Sequence, residues 1–428
     1  MKILVAGATG LIGAAICARL ADEGHVVVGA GRGKRPVRSL AFAEWLTLDF
    51  ATASRQDWLG HLSGVDAVVN CVGVLQDNPR DDTRAAHQRG PAALFEACAE
   101  AGVGRVIHFS AIGVDRHQAS AFSATKLAGD EALEGTSLHW VILRPSVVLG
   151  PSAFGASALF RGLAALPWLP VMRDTGPLQV VDTDDVTATV SFFLRKDAPS
   201  RVAVELAGPE RLSMIEVIAT YRRWLGWRAA RTMMLPHWAS RFAYRLGDLV
   251  SHLGWRPPVR STAMREIAHG AIGDPARWTR MTGVEPSSLD EALARRPASV
   301  QERWFARLYF LKPALFVILA AFWVSTGVIS LTTGFPIGVD LMVQARTGLL
   351  AAPGVVAGAI ADILVGMAIA WRPTAFFGLW AAIALSLFYI VAGTVLLPEL
   401  WNEPLGPLLK IWPILAAHAV ALAILNER

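Results

Sequence analysis

The chain of 428 residues is 53% hydrophobic and only 18% charged, and its mean hydropathy is +0.41. These values argue against an ordinary soluble protein and indicate membrane-spanning segments. Cys17, Cys71 and Cys98 have neither the spacing of zinc ligands nor that of a disulfide framework, so we expect no metal site and a reducing, cytoplasm-facing compartment. The opening "MKILVAGATG" enters a strand and a glycine turn at once, so we expect no export signal.

The first thirty residues predict a nucleotide-binding unit. "KILVAGATGLIGAAICARLADEGHVVVGAGR" has the pattern of strand, glycine turn, helix and strand, with Gly7, Gly10 and Gly13 spaced G-x-x-G-x-x-G. Such glycines allow a tight turn, close approach of the backbone to pyrophosphate, and close helix–strand packing. A purely structural turn is the weaker alternative in this setting.

The residues after the second strand favour NADP(H) over NAD(H). An acidic side chain there would bind the ribose 2′-hydroxyl, whereas a cation would accept a 2′-phosphate. The sequence offers Arg32, Lys34, Arg35 and Arg38 and no acid. A solvated basic loop remains the alternative.

Further strands alternate with helical segments, which predicts an α/β fold with a doubly wound parallel sheet. "EWLTLDF" is a predicted third strand ending at Asp49, a candidate for the adenine amino group. "VDAVVNCVGV" is a fourth, whose Cys71, Val72 and Gly73 would let the backbone approach the cofactor. "GRVIHFSAIGVD" and "HWVILRPSVVLGP" are the fifth and sixth, and "QVVDTDDVTATVSFF" predicts a strand entering a helix capped by Asp184 or Asp185.

These motifs, together with "FSAIG", the F122-x-x-x-K126 helix, "LRPSVVLGP" and "ELAGPE", resemble the short-chain dehydrogenase/reductase (SDR) superfamily in its extended or atypical branch. Residues 1–220 look most like the group that contains the NADPH-binding accessory subunit of respiratory complex I. Residues 304–428 are similar to the DoxX-like membrane family. The resemblance implies a cofactor site formed by the following residues: Gly7, Thr9, Gly10, Leu11, Ile12, Gly13, Arg32, Asp49, Cys71, Val72, Gly73, Lys126 and Pro145.

The resemblance also implies that catalysis is unconventional. In the SDR family a tyrosine four residues before the lysine donates the proton, and the lysine lowers its pKa and holds the nicotinamide ribose. Phe122 occupies the tyrosine position before Lys126 and has no proton to give. Ser110 is the candidate for the family's serine, although the family's pattern puts that position on Ala111 or Ile112.

Other proton donors exist near the lysine, namely Ser110, His117, Ser120 and Ser123. His117 titrates in a suitable range but sits in a polar loop, where a solvated histidine is the commoner case. Ser123 is one position around the helix from Phe122 and should point elsewhere. Ordinary carbonyl reduction is therefore disfavoured, and a quinone or another lipophilic acceptor, which can take its proton from water, is the alternative.

A basic, tryptophan-rich region, residues 221–303, follows the nucleotide-binding region as a substrate-side or connecting segment. Nucleic-acid binding is one interpretation. Because hydrophobic runs follow immediately, contact of arginine and tryptophan with anionic lipid is the better one, and we expect no nucleic-acid partner.

Four apolar runs, at roughly 313–333, 347–371, 373–397 and 405–425, predict an all-α membrane domain of four transmembrane helices. Arginines precede the first run, so the positive-inside rule puts the nucleotide domain and the C-terminus in the cytoplasm, on a cytoplasmic (inner) membrane. Asp362 and His418 fall at similar depth and are predicted to pair between helices.

Two functions agree with these features. The first is a membrane-anchored, NADP(H)-binding SDR-like oxidoreductase acting on a quinone or other lipophilic acceptor. The second is a non-enzymatic NADPH-binding sensor or assembly subunit of a membrane complex.

Overall fold

A computed structural model describes residues 1–34, 41–78, 81–118, 120–172 and 175–426. The chain divides into two units. The first comprises residues 1–249 and 257–306, and the second comprises residues 250–256 and 307–428.

The first unit is built on a seven-stranded parallel sheet, which confirms the predicted doubly wound architecture. Its strands are β1 (Lys2–Ala6), β2 (Val26–Gly31), β3 (Glu44–Thr47), β4 (Ala67–Asn70), β5 (Arg105–Phe109), β6 (Trp140–Pro145) and β10 (Val202–Leu206), in the order β10-β6-β5-β4-β1-β2-β3. Two parallel pairs stand apart: β7 (Val148–Leu149) with β9 (Val181–Asp182), and β8 (Trp168–Val171) with β11 (Arg231–Met234).

Helices cover both faces of this sheet, and further helices follow its last strand in the chain. They are α1 (Leu11–Asp22), α2 (Arg55–Leu59), α3 (Gly90–Glu100) with a π-helical turn before it (Ala85–Arg89), α4 (Ala121–Glu134), α5 (Gly155–Ala165), α6 (Thr183–Phe193), α7 (Met214–Trp224), α8 (His237–His252), α9 (Ser261–His269), α10 (Pro275–Thr282), α11 (Leu289–Ala294) and α12 (Val300–Leu308).

The apolar strand β1 explains why the sheet is buried on both faces. Ile3 and Val5 belong to one core cluster, with residues of α1 and α6, and Leu4 and Ala6 belong to a second, with residues of α3. Side chains alternate between the two faces of a strand, so a continuous apolar strand requires helices on both sides. The sheet order then reverses between β1 and β4, where ligands of such folds bind beyond the carboxyl ends of the strands.

One predicted helix cap is wrong. The cap of α6 is Asp182, whose Oδ1 accepts from the backbone N–H of Asp184 at 3.4 Å. Asp185 instead accepts from the backbone N–H of Ser287 at 2.8 Å. The helix begins two or three residues earlier than the sequence pattern indicated, because β9 ends at Asp182 with an extended backbone.

The second unit is helical, with α13 (Leu311–Leu331), α14 (Phe335–Gln344), α15 (Ala351–Ala370), α16 (Ala375–Leu396) and α17 (Ile411–Ile424). In the part of the chain that the structure describes, three segments are long and apolar enough to cross a membrane: Leu311–Leu331, Gly348–Ala370 and Ala375–Leu396. The fourth predicted run holds only α17, whose 14 residues extend about 21 Å. Pro404 and Pro407 precede α17 and interrupt the apolar run there.

The predicted pair of Asp362 and His418 is wrong, because each side chain has another partner. Tyr389 donates from its hydroxyl to Oδ1 of Asp362 at 2.8 Å. Trp323 donates from Nε1 to Nε2 of His418 at 2.9 Å, while Nδ1 of His418 lies 2.7 Å from the carbonyl oxygen of Ile414. The predicted depth of a residue in the membrane could not distinguish these partners, because it does not tell which neighbouring helix the side chain faces.

Candidate functional site

The glycine turn between β1 and α1 has the close backbone contacts that its spacing predicts. Gly7 has φ +75°, and a Cβ on it would lie 3.0 Å from the backbone of Cys71 and of Val72. A Cβ on Gly13 would lie 2.3 Å from the carbonyl oxygen of Gly7. No side chain caps α1, whose N-cap is Gly10. Its first backbone N–H groups are therefore available to an anion such as pyrophosphate.

The predicted cofactor residues lie at one edge of the sheet. Because the strands are parallel, the segments that follow their carboxyl ends share that edge. The predicted residues are distributed as follows: Gly7, Thr9, Gly10, Leu11, Ile12 and Gly13 after β1, Arg32 after β2, Asp49 two residues beyond the end of β3, Cys71, Val72 and Gly73 after β4, and Pro145 at the end of β6.

Arg32 has an acidic partner that the sequence analysis missed. Its Nη1 lies 2.8 Å from Oδ1 of Asp81, a side chain that is only 5% exposed, whereas Arg32 is 47% exposed. Asn78 donates from Nδ2 to the other oxygen of Asp81 at 2.8 Å. Lys34 is exposed. The predicted contributions of Arg35 and Arg38 lie outside the described residues.

Lys126 reaches the ends of two central strands. Its Nζ donates to the carbonyl oxygens of Val72, at 3.1 Å, and of Phe109, at 2.8 Å. A Cβ on Gly73 would lie 3.4 Å from this Nζ, so the backbone after β4 passes directly beside the ammonium group. Burial lowers the pKa of Lys126 to about 8, and the nearby carboxylate of Asp130 opposes that shift. Lys126 is therefore mostly cationic at neutral pH.

Asp130 lies one helical turn after Lys126 and holds a buried polar network. Its Oδ2 accepts from Ser110 Oγ at 2.9 Å and from Arg144 Nη2 at 3.0 Å. Nε2 of His108 lies 3.6 Å from Oδ1. Burial raises the pKa of Asp130 to about 6, although the bonds from Ser110 and Arg144 lower it. The hydroxyl of Ser110, a predicted catalytic group, is thus directed at Asp130.

Phe122 lies against a buried histidine. Its ring meets that of His87 edge to face, with centroids 5.5 Å apart. Nε2 of His87 accepts from the backbone N–H of Val74 at 3.0 Å, and Nδ1 lies 2.9 Å from Oγ1 of Thr125. Burial, and secondly the charge of Lys126, lowers the pKa of His87 to about 2. A neutral His87 therefore joins the loop after β4 to α4 and is no proton donor at physiological pH.

The other candidate donors are also engaged. Ser120 and Ser123 both donate to Oε1 of Glu266 on α9, at 2.5 and 3.0 Å. His117 stacks on His269, with ring centroids 5.6 Å apart. As expected, Ser123 points away from the position of Phe122, towards the start of α4 and Glu266.

Sequence reasoning missed the polar residues that contact the site residues. They are Asn70, whose Oδ1 accepts from the backbone N–H of Val72 at 3.1 Å, together with Asp81, His87, His108, Asp130, Arg144 and Glu266. For Asp130 a signal was present, since it continues the four-residue spacing of Phe122 and Lys126. For Asp81 and Glu266 there was none, because their partners lie 49 and more than 140 residues away in the chain.

Two protein families match separate regions of the chain. Residues 3–167 match the NAD dependent epimerase/dehydratase family, and residues 320–419 match the DoxX-like family. The N-terminal region is thus an epimerase/SDR-like Rossmann domain, and the C-terminal region is a DoxX-like membrane domain.

Individual relatives cover only parts of this architecture. An uncharacterized protein of Mycobacterium tuberculosis is 29% identical over 223 residues, which are 52% of this chain and 23% of that protein. Ceramide reductase of Caulobacter vibrioides is 27% identical over 49% of this chain and 65% of the reductase. The 2-alkyl-3-oxoalkanoate reductase of Stenotrophomonas maltophilia is 29% identical over 70% of this chain and 99% of that enzyme. The chain thus spans about a quarter of the length of the first of these relatives.

Solved structures resemble the first unit. UDP-glucuronic acid 4-epimerase from Bacillus cereus, in complex with UDP-glucuronic acid and NAD, superposes with a TM-score of 0.54 at 18% identity, over 72% of this chain and all of the epimerase. At this identity the likeness concerns the fold alone.

Proposed function

We propose that this protein, an SDR-like Rossmann domain joined to a DoxX-like membrane domain, is a membrane-anchored NADP(H)-binding oxidoreductase that reduces a quinone or another lipophilic acceptor. The observation that carries the proposal is Lys126, a buried cation beside Gly73 that is retained on a helix whose tyrosine position holds Phe122. A buried ammonium group costs stability, and its position beside the backbone after β4 suits a ligand-binding role.

The residues of the first unit fit a nicotinamide dinucleotide. The cradle at Gly7 and Gly13 has no room for a Cβ, and the uncapped start of α1 offers backbone N–H groups to a pyrophosphate. Lys126 would hold the nicotinamide ribose, and Asp49, exposed after β3, would contact the adenine. Thr9, Leu11, Ile12, Cys71, Val72 and Pro145 would line the remaining edge of the sheet.

The preference for NADP(H) rests on the cations after β2. Arg32 and Lys34 are exposed where the 2′-substituent of the adenine ribose would lie. Asp81 lies 2.8 Å from one guanidinium nitrogen of Arg32 and keeps that side chain at the end of β2. A guanidinium group has the planar arrangement of N–H donors that suits a phosphate.

Phe122 shapes the choice of acceptor. A bound NADPH supplies a hydride, and reduction of a quinone to a quinol needs one further proton. Water can supply that proton, since Phe122 carries none and the hydroxyls of Ser110, Ser120 and Ser123 are bonded to carboxylates. An acceptor that does not require an enzymatic acid is therefore favoured over a ketone.

Two further observations support a lipophilic acceptor. The same chain carries the DoxX-like membrane domain. One relative is a reductase whose name specifies ceramide, a lipid.

The proposed location is the cytoplasmic (inner) membrane, with the nucleotide domain and the C-terminus in the cytoplasm. Arg303 and Arg307 precede the first apolar helix and Lys312 lies in its first turn, and cytoplasmic flanks carry such cations. The loop before α14 has no Lys or Arg.

The second candidate is a non-enzymatic NADPH-binding sensor or assembly subunit of a membrane complex. Phe122 is the observation that favours it, since loss of the acid leaves cofactor binding intact but weakens catalysis. In this alternative the nucleotide stabilises one conformation and is not consumed.

The test is to purify the full chain in detergent, identify the bound nucleotide, and mix the NADPH-loaded protein rapidly with quinones and with a panel of ketones. Oxidation of NADPH by quinones but not by ketones supports the oxidoreductase. Stable NADPH with every acceptor supports the sensor or assembly role. Turnover of ordinary ketones at typical dehydrogenase rates contradicts both, and Lys126→Met serves as the control that should lose nucleotide.

A further inference from the structure

The outward face of α8 is apolar, exposed and continuous. Trp238, Phe242, Leu246 and Leu249, spaced by three or four residues, are 73%, 63%, 46% and 64% exposed, and this spacing puts them on one side of α8. Leu253, in the turn directly after the helix, continues the row and is 41% exposed. We call these five residues the α8 stripe. Soluble proteins rarely leave such a row of large apolar side chains in water.

The opposite face of α8 is fixed to the first unit. Tyr244 is buried and donates from its hydroxyl to Sδ of Met172 at 3.1 Å. Oδ1 of Asp248 accepts from the backbone N–H of Ser261 at 3.2 Å. The helix is therefore held in one rotational setting, and the stripe cannot turn inward without breaking these contacts.

The C-terminal end of α8 continues into the segment that belongs to the membrane unit. Within that unit, the carbonyl oxygen of Leu253 accepts from the backbone N–H of Arg372 at 2.9 Å. Trp255 donates from Nε1 to the carbonyl oxygen of Ala370, the last residue of α15, at 2.7 Å, and its ring lies 4.9 Å from that of Phe316. Ala370 ends a candidate span, so the segment that directly follows α8 in the chain is bonded to the end of that span.

The other segment that joins the two units has the same feature. In α12, which precedes the first candidate span, Val300, Trp304 and Leu308 are 50%, 64% and 52% exposed at four-residue spacing. Both connections between the units thus carry an apolar row in which tryptophan takes part. Exposed cations flank the α8 stripe, at Arg241 and Arg245. Tryptophan and large apolar residues beside arginine are the composition of helices that lie in the lipid headgroup region.

We infer that α8 is a surface-lying membrane helix whose stripe inserts into the acyl boundary of the bilayer, with Arg241 and Arg245 at the phosphate groups. The occupant is a phospholipid surface and not a second protein, because α8 is continuous with a segment bonded to the end of a membrane span. The inference concerns the surface of the chain and does not depend on the nucleotide chemistry proposed above.

The test places single nitroxide labels on the full chain in nanodiscs of mixed neutral and anionic phospholipids, one copy per disc. The half-buried Cys71 is replaced by alanine, while Cys17 and Cys98 are buried. Labels at Phe242→Cys and Leu246→Cys report the stripe, and a label at Arg241→Cys is the matched control on the polar flank. The measurement is the accessibility of each label to oxygen, which concentrates in lipid, and to a water-soluble nickel chelate.

We expect the ratio of oxygen to nickel accessibility to be at least fivefold higher at positions 242 and 246 than at position 241. Greater nickel access at 242 and 246 means that the stripe faces water and overturns the inference. Low access to both reagents means that protein covers the stripe, which overturns it equally. A label at Ile318→Cys, an exposed position on α13, checks independently that the helical unit is in the bilayer.

Discussion

The ion pair between Arg32 and Asp81 predicts how nucleotide selectivity can be changed. The Asp81 carboxylate is nearly buried and lies 2.8 Å from one guanidinium nitrogen of Arg32. A 2′-phosphate bound by the same guanidinium would lie roughly 6 to 7 Å from that carboxylate, given the size of the planar fork. Asp81 would then repel the phosphate while it orients Arg32.

The size of this repulsion follows from Coulomb's law. For a phosphate of about −1.5 charge at about 6.5 Å and an effective dielectric constant between roughly 40 and 80, the repulsion is about 1 to 2 kcal/mol. Asp81→Asn keeps the shape of the side chain and its contact with Asn78 but removes the charge. We expect NADPH to bind about tenfold more tightly, and NADH, which lacks the phosphate, to change by less than about twofold.

The assay is a titration of the detergent-purified protein with NADPH and with NADH at low and at physiological salt. Asp82→Asn is the matched control, since Asp82 is adjacent and forms an exposed ion pair with Arg89 at 3.0 Å. Arg32→Ala should weaken NADPH binding selectively. If Asp81→Asn weakened NADPH binding, or changed both nucleotides equally, the repulsion argument would be refuted and Asp81 would act only by orienting Arg32.

Three further predictions concern Lys126, Phe122 and Tyr389. Burial lowers the pKa of Lys126 from 10.5 to about 8, so the unfolded chain binds a proton that the folded chain lacks between pH 8 and 10.5. The unfolding free energy of the wild type relative to that of Lys126→Met should therefore rise by about 3 kcal/mol across that window, as measured by denaturant titration at each pH; parallel profiles would contradict it. Phe122→Tyr should raise ketone reduction by at least about tenfold with NADPH affinity unchanged, and unchanged turnover would show that the acid alone is not what is missing. Tyr389→Phe removes the hydroxyl that donates to Asp362 and should destabilise the membrane unit by about 1 to 3 kcal/mol in thermal unfolding, whereas an unaltered midpoint would mean that water replaces the hydroxyl.

The sequence pattern was sufficient to predict those features that depend on residues close together in the chain. The glycine turn was predictable because Gly7 and Gly13 are within one strand–turn–helix unit, and their close contacts involve the backbone that this unit creates. The placement of Cys71, Val72 and Gly73 at the same edge was predictable as well, because parallel strands put their carboxyl ends together. The length of an apolar run likewise predicted the three long helices of the membrane unit.

Partners distant in the chain were decided only by tertiary structure. The motif around Lys126 shows a cation without its tyrosine, but not that its Nζ bonds to the ends of β4 and β5 or that Asp130 lies near it. The basic loop predicted that Arg32 would bind a 2′-phosphate, whereas the fold also places Asp81 beside Arg32 as a counter-ion. Their similar predicted depth in the membrane suggested that Asp362 and His418 pair. The orientation of the helices instead places Asp362 against Tyr389 and His418 against Trp323. The sequence by itself determined the order of elements, the cradle for a dinucleotide and the apolar helices, because these depend on periodicity and on residues close in the chain. Which charges meet, and which helix face is left for the bilayer, depend on the angles at which whole elements pack, and only the tertiary structure decided them.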